Sequence, residues 1–256
     1  MKTRFSIGIP TKNRAHLLRQ CITSCVHQSI DCEVFVLDAG STDNTEAVCL
    51  EFGDKIKYHK LPSDPGFCDT WRLCAALCSG EYFHFQPDDD WIDETFAERT
   101  MSMFDDKIGL VMTQGMIHFP NGQTQINLPG LKTGIYPSSE LVKMWYSIPL
   151  TVTPACFTVR RADVLNHLHP GKIPFTSKAM IQNEIFVGLA CCSEYEYVGV
   201  IDEPLAHLGA GDECYTISNL NVGGRKQIEM LDGYREIKEA HARIYNSDSA
   251  LIACAT

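Results

Sequence analysis

Asp88, Asp89 and Asp90 stand side by side just after the apolar run Tyr82-Phe83-His84-Phe85 and just before Trp91. Three adjacent carboxylates repel one another by about 1 kcal/mol per close pair even in a high dielectric. Folding alone gives no reason to concentrate that repulsion at the end of an apolar strand. Carboxylate oxygens are the natural ligands of Mg²⁺ and Mn²⁺, so a divalent cation would relieve it. In open α/β sheets, ligands bind just past the carboxyl ends of strands. The other reading is a solvated acidic turn that caps the next helix, with Asp93 as N-cap. This segment alone leaves both readings open.

The elements around the cluster favour a ligand. A β-rich run, Phe5 to Ile9, ends in Pro10-Thr11-Lys12-Asn13-Arg14, where Asn13 can cap a helix. The apolar face of that helix is Leu17, Leu18, Cys21, Ile22, Cys25 and Val26, at helical spacing. A second apolar run, Glu33 to Leu37, ends in Asp38-Ala39-Gly40-Ser41-Thr42-Asp43 and leads into a helix carrying Ala47, Val48 and Leu50. Ile56 to His59 reads as a short strand, and Asp69 to Cys78 as a helix that Gly80 ends before the acidic strand. Strands and helices alternating at this spacing predict a parallel sheet with right-handed crossovers. The three strand-end loops then share one edge and surround one cleft. A nucleotide fits such a cleft, with base and ribose at the first two loops and a cation on the diphosphate at the third. Gly-x-Gly-x-x-Gly and Gly-x-x-x-x-Gly-Lys are both missing, so phosphate would be held through the cation rather than by amides at a helix start.

The second half is less regular. Ile108 to Ile117 reads as a strand, Asn121-Gly122 as a hairpin turn, and Thr153 to Val159 as another strand. Met180 to Cys192 predicts a helix and Tyr197 to Ile201 a last strand, while Ile228, Leu231, Tyr234, Ile237 and Ile244 mark a terminal amphipathic helix. Trp145, Tyr146, Phe157, Phe175 and Tyr215 can stack on sugar faces, but core is the default for most of them.

A chain of 256 residues that is 45% hydrophobic has ample material for a core. A net charge of −10 with no basic run argues against nucleic acid or anionic membrane as the main partner. No apolar stretch approaches the length of a membrane span, and Met1-Lys2-Thr3-Arg4 runs into a strand rather than a signal region. A soluble, cytoplasmic protein is expected. The twelve cysteines include no Cys-x-x-Cys pair. Cys21/Cys25 and Cys74/Cys78 fall four apart on helices, as reduced core thiols do, and Cys191-Cys192 has poor geometry for structural zinc.

Taken in order, these motifs resemble the family 2 glycosyltransferases of the nucleotide-diphospho-sugar transferase (GT-A) fold, over roughly residues 4–210. Ser6 to Arg14 resembles the family's opening strand and loop, and Val36 to Thr45 its Asp-rich Gly-Ser-Thr-Asp segment. Trp71, Ala75 and Gly80-Glu81-Tyr82 match the elements before the acidic motif, and Val198 to Ala206 the strand that closes the catalytic region. The resemblance implies a Rossmann-like three-layer α/β/α sandwich on a mostly parallel sheet, plus a C-terminal helix. Residues 1–215 would form one catalytic domain, with a nucleotide-sugar half (1–117) and an acceptor half (118–215), and 216–256 a helical extension. Pro10, Thr11, Asn13, Asp38, Arg72 and Asp88 would bind the sugar nucleotide, and Asp89 and Asp90 would hold Mn²⁺ or Mg²⁺.

Several positions depart from the family pattern. Ala39 replaces the second acid of the first pair, and Pro87 stands where many members carry the first Asp of the acidic motif. The late helix has Ile181-Gln182 where the catalytic Glu-Asp pair usually lies, so Glu184 is the nearest candidate base, with Asp90 as a second catalytic acid and Asp212 and Glu213 behind them. His207 is a further candidate near the metal. The implied activity is an inverting, metal-dependent transfer of a sugar from a nucleotide-diphosphate donor, UDP by family prevalence, to a hydroxyl of a glycan or lipid-linked acceptor. A catalytically silent nucleotide-sugar-binding module is the first alternative. A nucleotidyltransferase or phosphohydrolase is the second.

Overall fold

The computed structural model describes residues 4–127, 132–147, 153–168, 183–211 and 225–245, and not the side chains of 147, 183, 184 and 225–231. In chain order the strands are β1 (Phe5–Thr11), β2 (Cys32–Asp38), β3 (Lys57–Lys60), β4 (Tyr82–Phe85), β5 (Trp91–Ile92), β6 (Ile108–His118), β7 (Thr124–Ile126), β8 (Gly134–Pro137), β9 (Phe157–Arg160) and β10 (Tyr197–Gly209). The helices are α1 (Ala15–Val26), α2 (Thr45–Leu50), α3 (Phe67–Leu77), α4 (Phe96–Ser102), α5 (Ser138–Ser147), α6 (Arg161–His167), α7 (Asn183–Glu194) and α8 (Arg225–Tyr245).

One sheet runs in the order β3-β2-β1-β4-β9-β6-β10-β5, with β7 paired to β6 and β8 to β10. Its first four strands are parallel, as the alternation of strand and helix predicts. Beyond them β9 runs antiparallel between β4 and β6, and β10 is parallel to β6. Strands β1, β2 and β4 are covered on both faces, which is why they read as nearly unbroken apolar runs: Phe5, Ile7, Ile9, Val36, Leu37, Phe83 and Phe85 are all fully buried. Helix α1 buries Leu18, Cys21, Ile22 and Cys25, the spacing of one helical face. Helix α3 buries Trp71, Cys74 and Ala75, and Trp71 meets Phe85 edge-on at 5.1 Å. Gly8 lets α3 and β4 close on β1: a Cβ there would lie 2.9 Å from Cys74 Sγ and 2.8 Å from Phe83 Cε2.

Local expectations shift in instructive ways. Strand β1 continues through Pro10 to Thr11, because β2 pairs with it as far as Asp38. Asn13 does not cap α1: Arg14 takes the cap position, and Asn13 has φ +54°. Asp93 is not an N-cap either; it forms a local turn, accepting from Thr95 N–H at 3.0 Å, and α4 begins at Phe96. The Asn121-Gly122 turn joins β6 to β7, with Gly122 at φ +82°. Of the strand expected over Thr153–Val159, the first part is a 3₁₀ turn at Pro154–Cys156, and β9 follows. The late helix is seen as α7; 180–182 lie outside the described residues. Strands β5 and β8 and helices α5 and α6 were not anticipated. Trp145, Tyr146 and Phe157 are core, and Phe175 and Tyr215 lie outside the described residues. Among the described residues no helix is long and apolar enough to cross a membrane.

Candidate functional site

Strand register brings the chemistry together. Thr11 lies opposite Asp38, and Asp38 opposite Lys60. On the other side Gly8 lies opposite Phe85, and Gln86 N–H extends that ladder by donating to Gly8 O at 2.9 Å. Three residues further along both chains, Thr11 Oγ1 donates to Asp88 Oδ2 at 2.7 Å. The first and third loops are therefore joined at the sheet edge.

Arg14 strengthens the joint. Its Nη1 donates to Asp88 Oδ1 at 2.6 Å and its Nη2 to Asp89 Oδ2 at 3.2 Å. The guanidinium balances two of the three clustered charges, a partner that the acidic motif alone did not reveal. The signal was present in the sequence as a basic residue three positions past Thr11. Burial pushes the Asp88 carboxyl up, Arg14 opposes the push and Asp89 adds to it, with the result at about 6. Asp90 is driven well above the carboxylate range by burial and then by Asp89, and its Oδ1 accepts from Gly209 N–H at 3.0 Å.

The second loop is stitched to the first. Asn13 N–H donates to Ser41 Oγ at 2.9 Å, and Thr42 N–H to Asn13 Oδ1 at 2.7 Å. Ala15 N–H donates to Asp43 Oδ2 at 3.1 Å. The left-handed turn at Asn13 makes these bonds possible, and Asn tolerates that conformation better than other side-chain-bearing residues. Gly40 has φ +78°, and a Cβ there would sit 3.2 Å from Ser63 Cα. Asp38 is fully buried; its oxygens accept from Ser41 N–H at 2.7 Å and Tyr58 O–H at 2.8 Å. In this arrangement Asp38 holds its own loop.

The remaining candidates divide. Pro10 is half-buried in β1. Arg72, on α3, has a buried Nε with no acceptor among the described residues, which suits an anionic ligand. Glu184 falls in the first turn of α7, its side chain outside the described residues, where Asp212 and Glu213 also lie. Pairing of β5 with β10 sets Trp91 opposite His207, the rings stacked at 5.5 Å and 8°. His118 Nε2 lies 3.0 Å from His207 Nδ1. Burial holds both imidazoles below their ordinary range. Asp90, which precedes Trp91, meets the same strand β10 through Gly209.

The donors fit a hard divalent cation. Asp88 is committed to Thr11 and Arg14, whereas Asp89 Oδ1 and Asp90 Oδ2 make no hydrogen bond to any described residue. The three aspartates do not close into a cage with all ligand atoms within 4.8 Å. Mg²⁺-type sites commonly use one or two carboxylates and complete the shell with water and substrate phosphate, and two carboxylates are what this edge offers.

Known proteins share this fold. The profile described as glycosyl transferase family 2 matches residues 6–168, more than half of the chain. An uncharacterized glycosyltransferase of Rickettsia prowazekii, RP339, is 37% identical over 87 residues, 33% of this chain and 27% of that protein. Glycosyltransferase GlyA of Streptococcus pneumoniae is 28% identical over 99 residues, 37% of this chain and 14% of that protein. The aligned stretch thus spans about a quarter or less of the length of these curated relatives. Among solved structures, residues 1–349 of S. aureus TarS superpose with a TM-score of 0.64 at 17% identity, covering 96% of this chain and 74% of that one. The mannosyltransferase PcManGT of Pyrobaculum calidifontis, in complex with GDP-Man and Mn²⁺, gives 0.60 at 13% identity, covering 100% and 73%. These likenesses establish the GT-A fold. With the profile spanning strands β1 to β9, the chain belongs to glycosyl transferase family 2.

Proposed function

We propose that this chain is an inverting, metal-dependent glycosyltransferase that moves a sugar from a nucleotide-diphosphate donor to a hydroxyl of a glycan or lipid-linked acceptor. The observation that carries the reading is the edge where Thr11 and Arg14 grip Asp88 and Asp89. A TarS structure contains UDP-GlcNAc and the PcManGT structure GDP-Man with Mn²⁺, which supports a sugar nucleotide as ligand and a divalent ion as cofactor. Base and ribose would lie along Pro10, Thr11, Asn13 and the Asp38 loop, in the half 1–117. The acceptor would meet the half 118–215.

Asp89 and Asp90 would hold Mn²⁺ or Mg²⁺, which supplies Lewis-acid neutralisation of charge on the departing diphosphate. Arg14 fixes the rotamers of Asp88 and Asp89, so that the site needs little reorganisation when charge develops. Arg72 offers a buried N–H to the donor. Glu184 would accept the proton of the acceptor hydroxyl as it attacks the anomeric carbon from the face opposite the leaving group, which inverts the configuration.

Thermal denaturation with UDP- and GDP-sugars, with and without Mn²⁺, tests the binding half of this proposal, since a ligand that binds the native state raises its stability. Stabilisation that requires both sugar nucleotide and metal is expected. No stabilisation by any sugar nucleotide would refute it. Ile181-Gln182, in place of the family's acidic pair, favours a second reading, a module that binds the donor without turnover. Binding without transfer to any glycan or lipid-linked acceptor would select it.

A further inference from the structure

A second group of metal-ligating side chains lies apart from the strand-edge aspartates and shares no residue with them. Asp163 and His167 sit four apart on α6, so they project from the same face, and Glu194 ends α7, which packs against it. One ligand atom from each of the three falls within 4.8 Å of the others. His167 Nε2 is 3.1 Å from Glu194 Oε2. Cys191, one turn before Glu194 on α7, brings its Sγ to 3.9 Å from Asp163 Oδ2. Asp163, His167 and Cys191 are buried, while the Glu194 side chain is 42% exposed and leaves a path to solvent.

We propose that Asp163, His167 and Glu194 form a zinc-type metal site that ties α6 to α7. Donors at about 2.0–2.2 Å from a tetrahedral Zn²⁺ lie roughly 3.3–3.6 Å from one another, so a small closure of these side chains supplies three of its four ligands and leaves the fourth position to water. The surroundings are those of a metal site. Tyr195 O–H donates to Asp163 Oδ2 at 3.1 Å, and Tyr245 O–H, from α8, donates to Glu194 Oε1 at 3.0 Å. Such outer hydrogen bonds orient carboxylate ligands, and the second leaves Glu194 Oε2 turned toward His167. No Lys or Arg forms an ion pair with Asp163 or Glu194 among the described residues. Arg160 lies over the Tyr195 ring at 5.1 Å but donates to the carbonyls of Ile108 and Asp105 instead. Among the described residues the groups of positive character that face the two carboxylates are the His167 imidazole and, without an ion-pair contact, Arg160. An imidazole nitrogen with two carboxylate oxygens suits Zn²⁺ or Co²⁺ better than Mg²⁺.

The test uses the full chain, free of affinity tag and metal, titrated with Co²⁺ and then Zn²⁺. One Co²⁺ per chain should give visible d–d absorption that Zn²⁺ bleaches, and Zn²⁺ should raise Tm by several degrees. Both effects should persist in Asp89→Asn, which separates this site from the strand-edge aspartates and from the proposed activity. His167→Ala and Glu194→Gln should each abolish both effects. The second variant alters a partly exposed side chain and keeps a hydrogen-bonding amide, so the fold is maintained. Absence of the bands in the wild type overturns the proposal, as does their survival in both His167→Ala and Glu194→Gln.

Discussion

Arg14 and Asp88 are 74 residues apart in sequence and 2.6 Å apart in space, with the Asp88 side chain only 6% exposed and that of Arg14 25%. Such a pair joins two strand ends whose carboxylates would otherwise repel one another. Removing one partner of a buried ion pair costs about 3–5 kcal/mol, and the partial exposure of Arg14 reduces that. Arg14→Gln is expected to lower unfolding stability in urea by about 2 kcal/mol. A change below about 0.5 kcal/mol, the range of ordinary surface substitutions, would show that the pair is incidental.

Asp89 and Glu184 belong to different steps of the proposed reaction, so their variants should fail differently. Asp89→Asn should remove Mn²⁺-dependent stabilisation by sugar nucleotide together with transfer, leaving the far-UV circular dichroism unchanged. Glu184→Gln should keep donor binding and slow transfer by about 10²–10⁴-fold, the usual contribution of a general base. Equal loss of binding in both variants would contradict the division of roles.

Glu33 supplies a pH dependence away from the site. Burial opposes ionisation of its carboxyl, but Lys57, Ser6 and Ser79 outweigh it and hold the group at about 2. Lys57 Nζ lies 2.6 Å from Glu33 Oε1. Because the folded value lies below the unfolded one of about 4.3, the stabilisation is complete above that unfolded value. It is lost as pH falls from there toward about 2. Glu33→Gln should flatten this acid limb of the stability curve. An unchanged slope between these limits, measured by urea unfolding, would refute the assignment.

Gly8 is a packing requirement rather than a turn. Its missing Cβ is the space that Phe83 and Cys74 occupy. Gly8→Ala should destabilise by about 1–3 kcal/mol through overpacking. Calorimetry would read this as a lower Tm with the ligand response retained.

What could be read from the residues was what depends on period and order. Apolar runs ending in Pro10, Asp38 and the Asp88–Asp90 cluster gave the parallel half of the sheet and the edge at which their loops meet, because strands covered on both faces announce themselves. What escaped depends on tertiary partners. Strand β5 is only Trp91–Ile92 and exists because β10 pairs with it. Bulges let β10 run on from Val200 past Pro204 to Gly209, and its later residues reach Trp91 and Asp90. Asn13 looked like a helix cap, yet its side chain bonds across to Thr42 in another loop, a partner no local window contains. Arg14 was legible as a charge but not as the clasp on Asp88, since its direction follows from the turn at Asn13.

The seam formed by Asn13, Ser41 and Thr42 would shape how the proposed donor is bound. Loops already sewn together have little conformational entropy left to surrender when a guest arrives, so each contact a guest makes counts nearly in full toward its affinity. Under the proposed function, such loops would discriminate a donor by shape from the first encounter.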